Sequence, residues 1–286
     1  MIEFVAVLGV IPVAALLGRR FRRLDVPIAR LLLFVFVPVV IVHAIATWQG
    51  SVAKILGFAV ALSTVMGVVG LMLPLRVRPS LRFAAFAYYN IGWLGIPLAH
   101  LLLGPPAVPV MASAYMGGLL FGNSVCLGAL AGEGVIGGMR RVLALPPLYA
   151  FALGLVDRHF GMLPWAAFEP MIVAAREVMS VLGMALIGIG LARVPRAGWL
   201  DAVVFSVSRL AASVVVGVGA LWLLRGVFSS VEWQALALLC LLPVAANVVA
   251  LSRALGHDLA APAALVGAST LVSGAGIAAW AFVTAI

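Results

Sequence analysis

The 286 residues are 65% hydrophobic with a mean hydropathy of +1.24, and only 9% are charged. Soluble domains run nearer about 45–50% apolar and about 25% charged, so a water-soluble globular protein is excluded and an all-α membrane protein is expected. The formal charge of +9 would suit a nucleic-acid ligand only if it were gathered on one surface. The basic residues instead fall in short groups between apolar runs, where they act as topology signals, and no nucleic-acid partner is expected.

A window of about 20 residues places ten membrane spans. In chain order they lie near 2–18, 28–48, 52–74, 82–103, 107–131, 142–158, 168–192, 199–224, 233–254 and 260–284. Glu3 precedes the first apolar run and a basic cluster follows it, the reverse of a cleaved signal, so span one is expected to be retained. Arg19, Arg20, Arg22, Arg23 and Arg30 follow span one, and Arg76, Arg78 and Arg82 follow span three. Arg140 and Arg141 follow span five, Arg193 and Arg196 follow span seven, and Arg253 ends span nine. The opposite side carries only Lys54, Arg158, Arg176 and Arg225. This asymmetry predicts a multi-pass protein of the plasma membrane with both termini outside the cytoplasm.

Span four is interrupted by Asn90-Ile-Gly-Trp-Leu-Gly-Ile-Pro97, and span nine by Leu242-Pro243-Val-Ala-Ala-Asn247. Hydrocarbon offers no partner to a freed backbone group, so such breaks persist where they line a polar cavity, as in secondary transporters. Pro97 and Pro243 each remove an N–H and free a carbonyl one turn earlier. Gly92 and Gly95 open room for a backbone or a substrate. Half-helix N-termini and the amides of Asn90 and Asn247 suit a carboxylate. Asn123, in Gly122-Asn123-Ser124 of span five, is placed beside them, either completing the pocket or bonding helix to helix.

Five spans invert a second set of five, and the two halves echo each other. Pro12-Val-Ala-Ala-Leu-Leu-Gly18 parallels Pro147-Leu-Tyr-Ala-Phe-Ala-Leu-Gly154, and the Pro and Asn interruption falls in the fourth span of each half. The expected organisation is one membrane domain of two inverted repeats, 1–131 and 142–286, joined by a cytoplasmic loop at 132–141.

On these residues the chain resembles the auxin efflux carrier family, the bacterial relatives of the PIN-type plant transporters. The likeness rests on Asn90 to Pro97, on Leu242 to Asn247 with Ala250 and Gly256-His-Asp258, and on Ser269-Thr270-Leu271. Phe34-Val-Phe-Val-Pro38 and the stretch from Pro146-Pro147 to Gly154 also fit. The resemblance implies ten transmembrane helices in two inverted five-helix repeats, with helices four and nine broken and crossing near the midplane. It also implies alternating-access transport of a small organic anion, typically a carboxylate, in a bacterial inner membrane. One departure is Leu182-Gly183-Met184-Ala185-Leu186, which lacks the Pro that often follows this Leu-Gly pair.

The remaining polar positions carry narrower expectations. His43 and Arg209 are candidates for coupling or gating, by a proton at His43 or by charge at Arg209; the bland alternatives are a water-exposed His and an Arg that snorkels to the interface. His100 also sits near the outer end of its span, and Asp201 and Glu177 are expected to pair locally at span ends. No acid falls at a membrane centre, so coupling to a proton, to sodium or to the potential alone stays open. Trp93 could line a pocket or fill the scaffold. Small residues of spans five and ten, including Gly117, Gly118, Gly267, Ser273 and Gly276, suit close packing within the chain or in a homodimer. Cys126 and Cys240 read as inert packing residues. The dispersed His43, His100, His159 and His257 form no metal cluster, and no nucleophile with its base is apparent, so neither a cofactor nor an enzyme is expected. A channel-like or uniport facilitator is the alternative to a carrier.

Overall fold

The computed structural model describes residues 2–18, 24–192 and 198–284, with backbone alone for 2–8 and 284. Arg19, Arg20, Arg22, Arg23, Arg193, Arg196 and the Glu3 side chain, all used in assigning topology, lie outside the described residues. The protein is all-α: α1 (Ile2–Leu17), α2 (Asp25–Thr47), α3 (Val52–Met72), α4 (Pro79–Ala87), α5 (Ile91–Leu103), α6 (Pro105–Ala131) and α7 (Gly134–Leu143). There follow α8 (Pro146–Phe160), α9 (Trp165–Leu191), α10 (Trp199–Leu223), α11 (Ser230–Leu241), α12 (Asn247–Ala254) and α13 (Ala260–Thr284). Among the described residues the only extended pairing is one antiparallel bridge, Tyr89 with Val244.

Six of these helices are long and apolar enough to cross a membrane, and a seventh span results if the bent pair α7–α8, angled by 66°, is one crossing. Their outward faces are apolar: Met72, Val215 and Phe282 are 71–77% exposed. In water such a surface would drive aggregation; against lipid tails it costs nothing. Helix starts are set locally, as where Ser229 and Glu232 close a capping box at the head of α11. The same Glu232 carboxylate accepts from Lys54 Nζ at 2.7 Å, tying α11 to the first turn of α3.

Without a hydrophobic force between helices in lipid, close packing depends on small residues. The four principal long helix pairs are α1 with α9, α2 with α8, α3 with α6 and α10 with α13. A glycine sits at each contact. Gly188 lies on the Ile11 carbonyl, Gly154 near the Val42 carbonyl, Gly117 near the Leu56 carbonyl and Gly276 near Leu210.

Residues 132–141, expected as a loop, are mostly helical. Four glycines argue against a helix there; tertiary contact overrides them. Gly138 packs directly on the backbone of Asn123 and Ser124, and Arg141 pairs with Glu133 at 2.7 Å across the helix. Span six accordingly begins at Pro146, with Pro in the first turn where its missing N–H costs nothing.

Gly117→Ala and Gly219→Ala form a matched test of this packing, since alanine gains about 1 kcal/mol of helix propensity at both. A Cβ on Gly117 would lie 2.7 Å from the Leu56 carbonyl oxygen, whereas one on Gly219 meets nothing within 4 Å. Gly219→Ala is expected to hold or raise the Tm of the purified protein. Gly117→Ala is expected to lower it, by about 1–3 kcal/mol of overpacking strain.

Candidate functional site

Helices α4 and α11 both stop in the protein interior. After Ala87 the chain runs extended through Tyr88 and Tyr89 to Asn90 before α5 begins with a π-helical turn at Ile91–Gly95. After Leu241 it runs through Leu242, Pro243, Val244 and Ala245 before α12 begins at Asn247. The two extended strips cross and pair. Asn90 N–H donates to the Pro243 carbonyl at 2.9 Å, and Ala245 N–H donates to the Tyr88 carbonyl at 2.9 Å. Ser269 Oγ of α13 accepts from Val244 N–H at 3.2 Å. Each break thus supplies the partners that the other lacks, which answers the cost of bare backbone in an apolar interior.

The first break falls at Tyr88–Asn90, ahead of Pro97. Pro97 lies inside the second half-helix, just past the π-helical turn Ile91–Gly95 that opens it, and the chain has left α4 already at Ala87. The carbonyl that Pro97 does free is that of Trp93, one turn back. Gly183 of α9 lies against it: a Cβ there would stand 2.5 Å from the Trp93 oxygen. The Leu182-Gly183 pair is therefore a backbone contact with the crossing. Gly92 and Gly95 are likewise filled by protein, not left open. A Cβ on either would lie 2.7 Å from a neighbouring side chain, the Tyr115 ring for Gly92 and Leu242 for Gly95.

Two polar groups fasten the crossing from opposite sides. The Tyr88 hydroxyl bridges two amides, accepting from Asn123 Nδ2 at 2.9 Å and from Asn247 Nδ2 at 3.0 Å. The Asn123 amide also donates to the Leu119 carbonyl at 3.0 Å. On the other side Arg209 of α10 is 1% exposed, which rules out snorkelling to the interface. Its Nε donates to the Ala85 carbonyl and its Nη1 to the Leu242 carbonyl, both at 2.8 Å, and the guanidinium stands 4.4 Å from the centre of the Tyr89 ring. One turn on, Ser213 Oγ donates to the Cys240 carbonyl at 2.7 Å and shares a 2.8 Å hydrogen bond with the Tyr89 hydroxyl.

A cavity of about 640 Å³ reaches the crossing. Asn90, Trp93, Asn247 and Thr270 give it a polar and aromatic end, Leu33, Leu186, Ile187 and Val266 give it apolar walls, and Asp25, Arg30 and Arg253 line it as well. Arg253 Nη1 stands 3.9 Å from Asp25 Oδ2. The Asn90 amide faces this cavity and makes no hydrogen bond among the described residues. Of the residues expected to touch substrate, Asn90 and Asn247 line the cavity; Gly92, Gly95, Pro97, Asn123 and Pro243 support the crossing without lining it. Tyr88 was hidden in the sequence, because an aromatic inside an apolar run reads as packing, and Ser269 was marked by the resemblance alone, without this role.

His43 and Arg209 do not line the cavity either. His43 Nε2 is 3.3 Å from Glu169, which also pairs with Arg176 at 2.8 Å, and its ring meets Trp165 edge-on. His100 pairs with Glu177 at 3.3 Å, a partner in a different helix and not a local one. Both side chains are mostly covered. Cys126 and Cys240 are buried free thiols.

A comparison with protein-family models finds no match to this chain, and a search of curated proteins finds none significantly similar.

Tyr88→Phe removes the hydroxyl while keeping the ring, leaving the amides of Asn123 and Asn247 without that acceptor. An unpaired buried donor costs about 1–3 kcal/mol, so thermal unfolding of Tyr88→Phe is expected to come several degrees early. Tyr115→Phe, with the phenol ring that covers Gly92 retained, is expected to unfold near the wild-type temperature.

Proposed function

We propose that the chain is a secondary active transporter working by alternating access, which carries small organic anions, carboxylates foremost, across a bacterial plasma membrane. The observation that carries this reading is the crossing of two broken helices at a cavity lined by Asn90 and Asn247. Both face the cavity from the N-terminal ends of half-helices, where partial positive charge gathers and an anion is favoured. The apolar walls suit the hydrocarbon body of such a substrate.

In this proposal the fold is two inverted five-helix repeats, 1–131 and 142–286. Adding α1 and the broken pairs α4–α5 and α11–α12 to the seven long crossings makes ten. The packing supports the repeat. An inverted repeat that exchanges spans one and six also exchanges spans seven and two, so the α1–α9 contact corresponds to the α8–α2 contact. In the same way α3–α6 corresponds to α10–α13, and the two broken helices exchange with one another. The basic residues Arg30 and Arg253 mark the cytoplasmic side, so the cavity faces the cytoplasm in this state, with both termini outside. The resemblance to the auxin efflux carrier family fits the same picture, and a homodimer and a coupling proton or sodium ion are compatible with it.

Purified protein in proteoliposomes, loaded with a carboxylate chosen by thermal-shift screening, is expected to show saturable uptake and counterflow. Flux that neither saturates nor counterflows marks a channel-like facilitator. Asn90→Ala and Asn247→Ala are each expected to cut uptake at least about tenfold, the loss of about 1.4 kcal/mol of binding, while the protein still inserts and folds. Asn90→Ala should leave Tm near wild type, because its amide has no protein partner, whereas Asn247→Ala should lose about 1 kcal/mol with the Tyr88 bond. Wild-type uptake in both variants would remove the site from the crossing.

A further inference from the structure

Arg209 is a full positive charge in the protein interior, and among the described residues no carboxylate stands within ion-pair distance of it. A buried charge without a counter-ion is costly and needs another source of compensation. Here that source is backbone. The Ala85 carbonyl belongs to the last turn of α4, and the Leu242 carbonyl lies immediately past the end of α11. Both half-helices therefore aim their C-termini, the negative ends of their dipoles, at one guanidinium. The Tyr89 ring, part of the bridge between the two strips, adds its face at 4.4 Å. Nη2 has no hydrogen-bond partner among the described residues.

Four half-helix ends meet at the crossing. Two are C-termini, those of α4 and α11, and two are N-termini, those of α5 and α12. Left alone the opposite ends would offset one another, and exposed carbonyls at the negative pair would attract a cation. With Arg209 in place the negative pair is satisfied and only the positive pair is left, on the side where Asn90 and Asn247 line the cavity.

We propose that Arg209 is the resident cation of the crossing, a positioning residue that neutralises both half-helix C-termini and so commits the cavity-side N-termini to an anion. This rests on the carboxylate-carrier reading above for the identity of the ligand, but the clamp on the two breaks stands on the geometry alone. The role needs both charge and a fork. Lysine supplies the charge without two directed bonds, and glutamine supplies a donor without the charge.

The native thiols report the clamp. Cys240 is buried in the last turn of α11, its carbonyl held by Ser213, and Cys126 is equally buried in α6 and serves as the internal reference. In detergent, N-ethylmaleimide is expected to label neither thiol of the wild type. Arg209→Ala is expected to label at Cys240 at least about tenfold faster, with Cys126 unchanged. Millimolar guanidinium chloride should restore protection to that variant, and equal urea or sodium chloride should not. Should Arg209→Ala fail to fold, Arg209→Lys and Arg209→Gln carry the same test, with lysine the better protected.

Ligand selectivity is read by thermal shift with benzoate against its neutral isostere benzamide. Wild type and Arg209→Lys are expected to be stabilised by benzoate alone, and Arg209→Gln is expected to lose that preference about tenfold. Wild-type protection of Cys240 in Arg209→Ala, or rescue by urea as good as by guanidinium, overturns the clamp. Full benzoate preference in Arg209→Gln overturns the commitment to an anion. If neither the wild type nor any variant responds to a carboxylate, the carrier reading falls, and guanidinium-specific protection of Cys240 still decides for or against the resident cation.

Discussion

Everything in this fold depends on keeping backbone hydrogen bonds satisfied where water cannot reach. Two helices that stop inside a membrane each leave several N–H and C=O groups without an intrahelical partner, at several kcal/mol apiece. The protein answers with a two-bond antiparallel bridge between Tyr88–Asn90 and Pro243–Ala245, closed by Ser269 on one side and by Arg209 on the other. The bridge makes the breaks mutually dependent. Neither α4–α5 nor α11–α12 is a tolerable membrane element alone, so the two halves of the chain have to assemble around their crossing. The long helices around it, paired through glycines, then form the lipid-facing wall.

Much of this was legible in the sequence, and the gaps have physical reasons. Apolar runs and their spacing locate the spans because the bilayer permits little but helix. Asn, Gly and Pro within two such runs mark the breaks because hydrocarbon penalises them unless they are used. The first break was read at and just ahead of Asn90–Pro97, and it opens at Tyr88–Asn90. Proline reports which N–H is missing, whereas the exit from the helix is set by where the partner strip can supply bonds, which is at Tyr88–Asn90 and depends on Pro243 and Ala245. Gly92 and Gly95 read as room for a backbone or a substrate and are filled by the Tyr115 and Leu242 side chains, since a missing Cβ shows where something comes close but not what. Arg209 read as a gating charge or one that snorkels to the interface, because depth along a helix gives no hint of two carbonyls converging on it from other helices. Residues 132–141 read as loop because local propensity outweighed a contact made 14 residues away, between Gly138 and Ser124.

The crossing is also lopsided. On one side it is held through a side-chain hydroxyl, Tyr88, shared by two amides, while on the other Arg209 reaches the Ala85 and Leu242 carbonyls, one from each break. Hydroxyl–amide contacts are neutral and of ordinary strength; hydrogen bonds from a guanidinium are charge-assisted and stronger. The polar fastening nearer the cavity is therefore the weaker one. Asn247 takes part in it and lines the cavity at the same time, and its amide keeps a second N–H beyond the one given to Tyr88, so a ligand can be held beside that bond.

Gly183 adds a mechanical property to this arrangement. Its contact with the Trp93 carbonyl is backbone on backbone, with no side chain of α9 inserted between its neighbours. Interlocked side chains act like gear teeth, and one helix can pass another only by lifting them out of their holes. At Gly183 the teeth are missing, and the stretch of α9 just beyond it, Leu186, Ile187, Gly190 and Leu191, is a wall of the cavity. That wall is thus seated on the crossing by backbone contact, while Met184, Leu186 and Ile187 of the same helix stay packed in the core on the near side of the cavity.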